Sequence, residues 1–200
     1  MNYPKTIRDL IECYKKLPGV GEKSAERLAL ATINLDTNII NLFSESLLNI
    51  EKKIRRCSKC NSLTENDICD ICSSKNRDIS TICVVQEPKN VIMFEKVGTY
   101  NGLYFVLNGL ISPLDGIGPE DININHLIKR IKEEQIKEVI IAVKPSIEGE
   151  TTALYIQKSL EKLDVIVSKI AHGIPIGADI DYIDSLTLET ALQDRKKISD

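Results

Sequence analysis

The chain has 200 residues, 42% hydrophobic and 28% charged, with a net charge of −3. These values are ordinary for a globular protein and leave room for one or two domains with a real core. The longest apolar run, residues 139–143, is too short to span a bilayer, and MNYPKTIRDL lacks the apolar centre of a secretory signal, so a cytoplasmic protein is expected. Charge is spread unevenly. Residues 1–60 hold 11 Lys and Arg against 7 Asp and Glu, whereas 61–200 hold 15 against 22. The basic end is a candidate for a polyanionic partner, with random scatter over solvated helix faces as the alternative.

TIRDLIECYKKL (6–17) sets Ile7, Leu10, Ile11, Tyr14 and Leu17 at a period near 3.6, which predicts a helix. Pro18-Gly19-Val20-Gly21 breaks it. A second helix is expected over 22–33, with Ala25, Leu28, Ala29 and Thr32 along one side, and a third over about 38–54. A cysteine-rich stretch follows over 57–72. Beyond residue 79 strands are expected at 80–86, 103–107, 138–143 and 164–170. Helices are expected between them at 88–97, 124–134 and 149–163, and a last one at 186–193. Strands alternating with helices imply an α/β domain with a parallel sheet. The expected parts are an all-α region (1–54), a cysteine module (55–78), an α/β domain (79–170) and a C-terminal segment (171–200).

Helix, Pro-Gly-apolar-Gly, helix is the pattern of a helix-hairpin-helix. Gly19 and Gly21 let the backbone turn tightly after Pro18 and leave amides uncovered by side chains. Those amides, with the start of the second helix, can hold a phosphate without reading bases. Lys23 and Arg27 share one face of that helix and could neutralise neighbouring phosphates. The alternative is an ordinary helical hairpin with a glycine-rich turn.

Cys57-Ser-Lys-Cys60 and Cys69-Asp-Ile-Cys72 are eight residues apart. Two thiolate pairs at this spacing suit one tetrahedral Zn²⁺ per chain, structural because all four positions are filled. Disulfides and a redox Cys-x-x-Cys pair are the competing readings. Asn61, Thr64, Asn66 and Asp67 read as turn residues within the module, and Cys13 and Cys83 as buried small hydrophobes on apolar faces. Glu148 and Glu150 follow the strand at 138–143, where they could share a Mg²⁺ on a loop, or form a polar loop with Glu150 in the favourable first turn of a helix. AHGIPIGADIDYID (171–184) is a glycine-rich acidic loop. Its Asp179, Asp181 and Asp184 could hold a metal or face a basic partner or a neighbouring subunit. His126 and His172 are expected to be non-catalytic. The sequence has no GxxxxGK[ST] phosphate loop.

The order of these parts resembles the bacterial recombination mediator family RecR. The likeness runs through LPGVGEKSAERLA (17–29), the four cysteines, ICVVQEPKNV (82–91), GLISPLDGIGPEDI (109–122), IEGETTALYI (147–156) and AHGIPIGADIDYID (171–184). It implies a helix-hairpin-helix, a four-Cys zinc finger, a Toprim α/β domain and a Walker-B-like tail that helps subunit contact. It also implies a protein that is not an enzyme: a homo-oligomeric DNA clamp, a tetrameric ring, binding single-stranded and duplex DNA without sequence preference. Such a clamp works with RecO and RecF to load RecA on DNA coated by single-strand binding protein. Pro18, Gly19, Gly21, Lys23 and Arg27 match the family's DNA-contact region. The loops bearing Gln86, Asn90, Glu148 and Glu150 would serve partner docking, with RecO the expected occupant, or a weak metal.

One departure carries information. Toprim domains usually place Glu at the position of Gln86 and Asp at that of Asn90. Two amides in place of two carboxylates remove two formal charges of attraction for a divalent cation, so tight Mg²⁺ binding is not expected. Glu87 would point to the opposite face of a continuing strand and is a poor replacement. The competing class, a Mg²⁺-dependent Toprim nuclease, primase or topoisomerase-like enzyme, needs those carboxylates. A zinc-stabilised scaffold that never touches DNA is the third reading.

Overall fold

The computed structural model describes residues 3–171 and 173–195, which excludes His172 and the last five residues of the C-terminal segment. The chain divides into two units, Met1–Ile54 and Arg55–Asp200.

The first unit contains α1 (Lys5–Lys15), α2 (Glu22–Ile33) and α3 (Thr37–Lys53). α1 packs on α2 through Ile11, Ala25 and Ala29, which are buried, with Ile7, Leu10, Tyr14 and Val20 around them. The two alanines let the helix axes approach closely. The Tyr14 and Thr32 hydroxyls close the far end at 2.7 Å. α3 starts where the Asp36 carboxylate accepts the Asn38 amide at 2.8 Å. It buries none of its 17 residues.

Two sequence expectations fail here. Cys13 is exposed rather than buried. Each helical residue turns about 100°, so Cys13 stands about 200° from buried Ile11, on the far side of α1. Leu17 is exposed as well, because α1 ends at Lys15 and helical periodicity no longer governs it.

The second unit opens with the cysteine module. A short antiparallel ladder pairs β1 (Arg55–Arg56) with β2 (Leu63–Thr64), and α4 (Asp70–Ser73) follows. Then come β3 (Asp78–Val85), α5 (Pro88–Val97), β4 (Gly102–Val106), α6 (Ile124–Glu134), β5 (Glu138–Ala142), α7 (Ile147–Leu160), β6 (Ile166–Lys169) and α8 (Ser185–Gln193). The last four strands form a parallel sheet in the order β4-β3-β5-β6.

Strand alternation sorts the core into two layers. Ile82, Val84, Leu103, Phe105, Val139 and Ile141 meet α6 and α7 on one face. Cys83, Val85, Tyr104, Val106 and Ala142 meet Val91 and Phe94 of α5 and Ile71 of α4 on the other. A sheet covered on both faces needs continuous apolar strands, as ICVV in β3 and VIIA in β5 show.

α7 begins two residues before the expected position. The Ser146 hydroxyl accepts the Gly149 amide at 3.2 Å and caps the helix. Glu148 therefore joins Glu150 in its first turn, where the helix dipole favours negative charge; the sequence placed Glu148 on the loop and offered the first-turn position for Glu150 as the alternative to a shared Mg²⁺. Gly149 has to lack a side chain, since a Cβ there would overlap the Lys144 carbonyl oxygen.

Candidate functional site

The hairpin between α1 and α2 is built by its glycines. Gly19 has a φ of +81°, a conformation L side chains rarely adopt. Space around a Cβ at either Gly19 or Gly21 is empty to 4 Å. The Val20 amide donates to Leu17 O at 3.1 Å, closing the turn, and the Val20 side chain anchors it on the small core. Gly21 is the N-cap of α2 and no side chain caps that end. The first amides of α2 thus face open solvent beside the turn, an arrangement suited to an anion. Lys23 and Arg27 are exposed, and among the described residues neither has an ion-pair partner. Glu22 is drawn to Lys15 at 3.0 Å, which offsets its charge at the mouth of the hairpin.

The four cysteines converge. Their Sγ atoms all lie within 4.8 Å of one another, with Cys57, Cys60 and Cys69 buried and Cys72 half-buried. Cys60 and Cys69 Sγ are 3.6 Å apart, far beyond a disulfide bond and close to the edge of a tetrahedron with Zn–S bonds of about 2.3 Å. Proton sharing across that contact raises the Cys60 thiol and lowers that of Cys69. The donor set fits zinc, which would be held by these four thiolates and would supply folding energy rather than catalysis. Asn61 takes a φ of +60° and turns the first knuckle. Ser58 N–H donates to Asp67 O at 2.9 Å, and the Thr64 hydroxyl accepts the Asn66 amide at 3.1 Å. Burial raises the Cys83 thiol to about 12, in the core and apart from this cluster.

Arg130 of α6, only 4% exposed, ties the module to the sheet. Its Nη1 donates to Lys59 O at 3.2 Å and to Tyr104 O at 3.0 Å. Nε donates to Glu134 at 2.8 Å, and Nη2 stands 3.8 Å from Cys72 Sγ. Burial works against its charge, but Cys72 and Glu134 more than offset this and raise its pKa. Lys59 reaches the same Glu134 at 3.0 Å. Sequence reading did not single out Arg130. Its signal was an arginine on the apolar stripe Ile124, Leu127, Ile131, four residues before a glutamate.

At the carboxyl end of the sheet, Gln86 and Asn90 line a cleft of about 400 Å³ with Phe94, Val143, Lys144 and Ile170. The Asn90 Oδ1 accepts the Glu87 amide at 2.9 Å, and the Glu87 side chain caps α5 in return. Glu87 also pairs with Lys89 at 2.7 Å. The Glu148 carboxylate accepts the Ser146 hydroxyl at 2.6 Å, which lowers its pKa, and Glu150 pairs with Lys169 at 2.9 Å. Glu148 and Glu150 are each held by a neighbour of their own, Ser146 and Lys169. Among the described residues the four cysteines form the only cluster of three or more metal-binding side chains. In the C-terminal segment Asp179 accepts the Asp181 amide at 3.3 Å, and Asp184 caps α8 through Thr187 N–H at 2.9 Å. His126 stacks edge-on against Phe105 at 5.3 Å between ring centroids.

Comparison with known proteins bears on both units. The Toprim domain model matches residues 80–171, and that of the RecR four-cysteine zinc finger domain matches 54–74. The RecR helix-hairpin-helix model matches 7–50 and the RecR C-terminal model 173–196. The chain is 48% identical to the recombination protein RecR of Enterococcus faecalis over 198 residues, covering 99% of this chain and all of that one. The chain belongs to the RecR family. Within the RecR frame the parallel sheet is the Toprim domain and the cluster of four cysteines is its zinc finger. Among the described residues no helix is long and apolar enough to cross a membrane.

Proposed function

We propose that this RecR-family chain is a non-enzymatic recombination mediator that grips DNA through the hairpin at Pro18, Gly19, Gly21, Lys23 and Arg27. The observation that carries the reading is the uncapped start of α2 beside an open glycine turn, with two cations on the adjoining face that have no ion-pair partner among the described residues. Amides and cations of this kind bind phosphates and leave base edges unread, so the grip is sequence-independent. Membership in a family of recombination proteins supports the same role. One hairpin neutralises few phosphates, so the chain acts as a homo-oligomer, a ring-shaped clamp of four copies whose hairpins act together. It is a protein of the cytoplasm, acting at the nucleoid. It works with RecO and RecF to deliver RecA to single strands coated by single-strand binding protein. The cleft at Gln86 and Asn90 is a partner-docking surface, and Asp179, Asp181 and Asp184 lie in a subunit-contact segment.

Enzymatic Toprim chemistry is opposed by the amides at 86 and 90 and by the commitment of Glu148 and Glu150 to Ser146 and Lys169. Tight Mg²⁺ binding is opposed for the same reason. The test is fluorescence anisotropy on single-stranded and gapped DNA over a salt series, with Lys23→Glu/Arg27→Glu beside the natural sequence and sedimentation of both. The double variant keeps its size and loses the salt-sensitive binding. Unchanged binding would show the hairpin to be structural only.

A further inference from the structure

A buried arginine with a single carboxylate partner is a costly arrangement unless further negative charge is near. Arg130 has Glu134, but Glu134 is shared with Lys59. Two cations and one carboxylate leave one positive charge in a half-desolvated cluster. The nearest group able to balance it is the four-cysteine centre, 3.8 Å away at Cys72. Four thiolates around Zn²⁺ carry a net charge of −2, so the signs match. The guanidinium is also fixed at every other point, by Lys59 O within the first Cys-x-x-Cys knuckle, by Tyr104 O of β4 and by Glu134. It cannot swing away from the sulfur without losing those bonds.

We propose that Arg130 is a positioning residue of the zinc centre: it donates an N–H···S hydrogen bond to the Cys72 thiolate, strengthens the centre's hold on the metal, and couples metal loading to the edge of the Toprim sheet. The coupling follows from shared bonds. The same Nη1 holds the knuckle carbonyl and the β4 carbonyl. Beside it, Val106 N–H donates to Cys60 O at 2.8 Å, and Asn61 Nδ2 donates to Val106 O at 2.9 Å. Metal-induced closure of the knuckle sets all of these acceptors at once. This inference rests on the zinc reading of the cysteines.

The experiment uses the full chain, the Arg130→Gln variant, which removes the charge, and Arg130→Lys, which restores it without the fork. Zinc content of the natural protein is measured first; absence of zinc would remove the metal reading itself and this inference with it. With zinc present, competition against a chromogenic chelator gives relative affinities, and outer-shell partners of metal ligands typically contribute 10- to 100-fold. Arg130→Gln weakens zinc by that factor and Arg130→Lys recovers part of it. In the Co²⁺-substituted proteins the thiolate-to-metal charge-transfer band of Arg130→Gln moves to lower energy, since loss of a donor raises the sulfur lone pair. A merely structural arginine would leave that band in place. Should Arg130→Gln fail to fold, ¹¹³Cd-substituted natural protein answers alone, through a scalar coupling between cadmium and an Arg130 guanidinium proton. Zinc affinity within twofold of the natural protein in a folded Arg130→Gln, or no coupling in the cadmium form, overturns the proposal.

Discussion

Glu95 shows how one carboxylate can report on the second unit. It accepts Arg77 Nη1 at 2.9 Å and the Tyr104 hydroxyl at 2.8 Å, and its other oxygen meets Arg77 Nη2. The Arg77 contact, more than the burial that opposes it, holds the Glu95 pKa below the ordinary carboxylate value. A depressed folded pKa stabilises the fold fully above the unfolded value, about 4.3, and that stabilisation is lost as pH falls through the folded pKa. Glu95→Gln should therefore cost about 1 kcal/mol at pH 7, near the low end for a charged hydrogen bond because the side chain is partly solvated. The gap between the two proteins should narrow as pH drops below about 4.3. Urea unfolding of both at a series of pH values measures it, and a gap independent of pH would mean that packing, not charge, holds Glu95. The contact also draws Arg77, just before β3, and Tyr104 of β4 onto one helix, so a single residue joins α5 to both strands.

At the scale of elements, the sheet order leaves β4 at an edge, and an unpaired edge invites association with other strands. Here three of the groups that face away from β3 are taken: Val106 N–H by Cys60 O, Val106 O by Asn61, and Tyr104 O by Arg130. The zinc module is thus an edge cover as well as a metal site. Stripping zinc with a strong chelator should release the Val106 amide, raising its hydrogen exchange by at least tenfold while amides of β5, inside the sheet, change little. Equal protection with and without metal would show that the cover holds by packing alone. None of these bonds could be read from the sequence, because they join segments 26 or more residues apart, one by backbone groups alone and two by single side chains, and leave no periodic trace. What could be read was local. The 3.6 period of α1, α2 and α6, the short apolar runs of β3 and β5 and the paired cysteines all express themselves within a few residues. Errors came where a local signal had a rival. Ser146 started α7 early and took Glu148 off its loop. β6 spans only Ile166–Lys169, since 163–165 turn back on Leu160 and Leu163. GLISPLDGIGPEDI had no reading at all. It folds as a compact loop pinned by the Thr152 hydroxyl on the Ile111 amide at 2.9 Å, with Leu110, Ile111 and Ile122 buried and Leu114 almost wholly exposed.

For the molecule as a whole, α3 raises the question of assembly. Seventeen residues of helix bury nothing, yet Leu42, Leu47 and Ile50 are 65%, 56% and 61% exposed, and Ile39, Phe43 and Leu48 about half exposed. A lone soluble chain rarely leaves such a contiguous apolar surface in water. Burial against copies of the same helix would return about 25 cal/mol for each Å² covered, and it would set several hairpins side by side. The salt dependence of binding then becomes a count of hairpins. Lys23 and Arg27 of one hairpin neutralise two phosphates, which gives a slope of about −1.4 in log K against log salt on a single strand. An assembly that engages several hairpins at once must show a slope several times steeper. Replacing Leu42 and Leu47 with Glu should separate the two contributions, because both side chains are exposed and neither supports the core of the first unit. The variant is expected to sediment as a smaller species, to keep its zinc, and to bind single strands with a slope that falls toward about −1.4. A variant that keeps both its size and its slope would assign assembly to another surface. A variant that shrinks while the slope stays steep would mean that a single chain carries phosphate contacts well beyond Lys23 and Arg27.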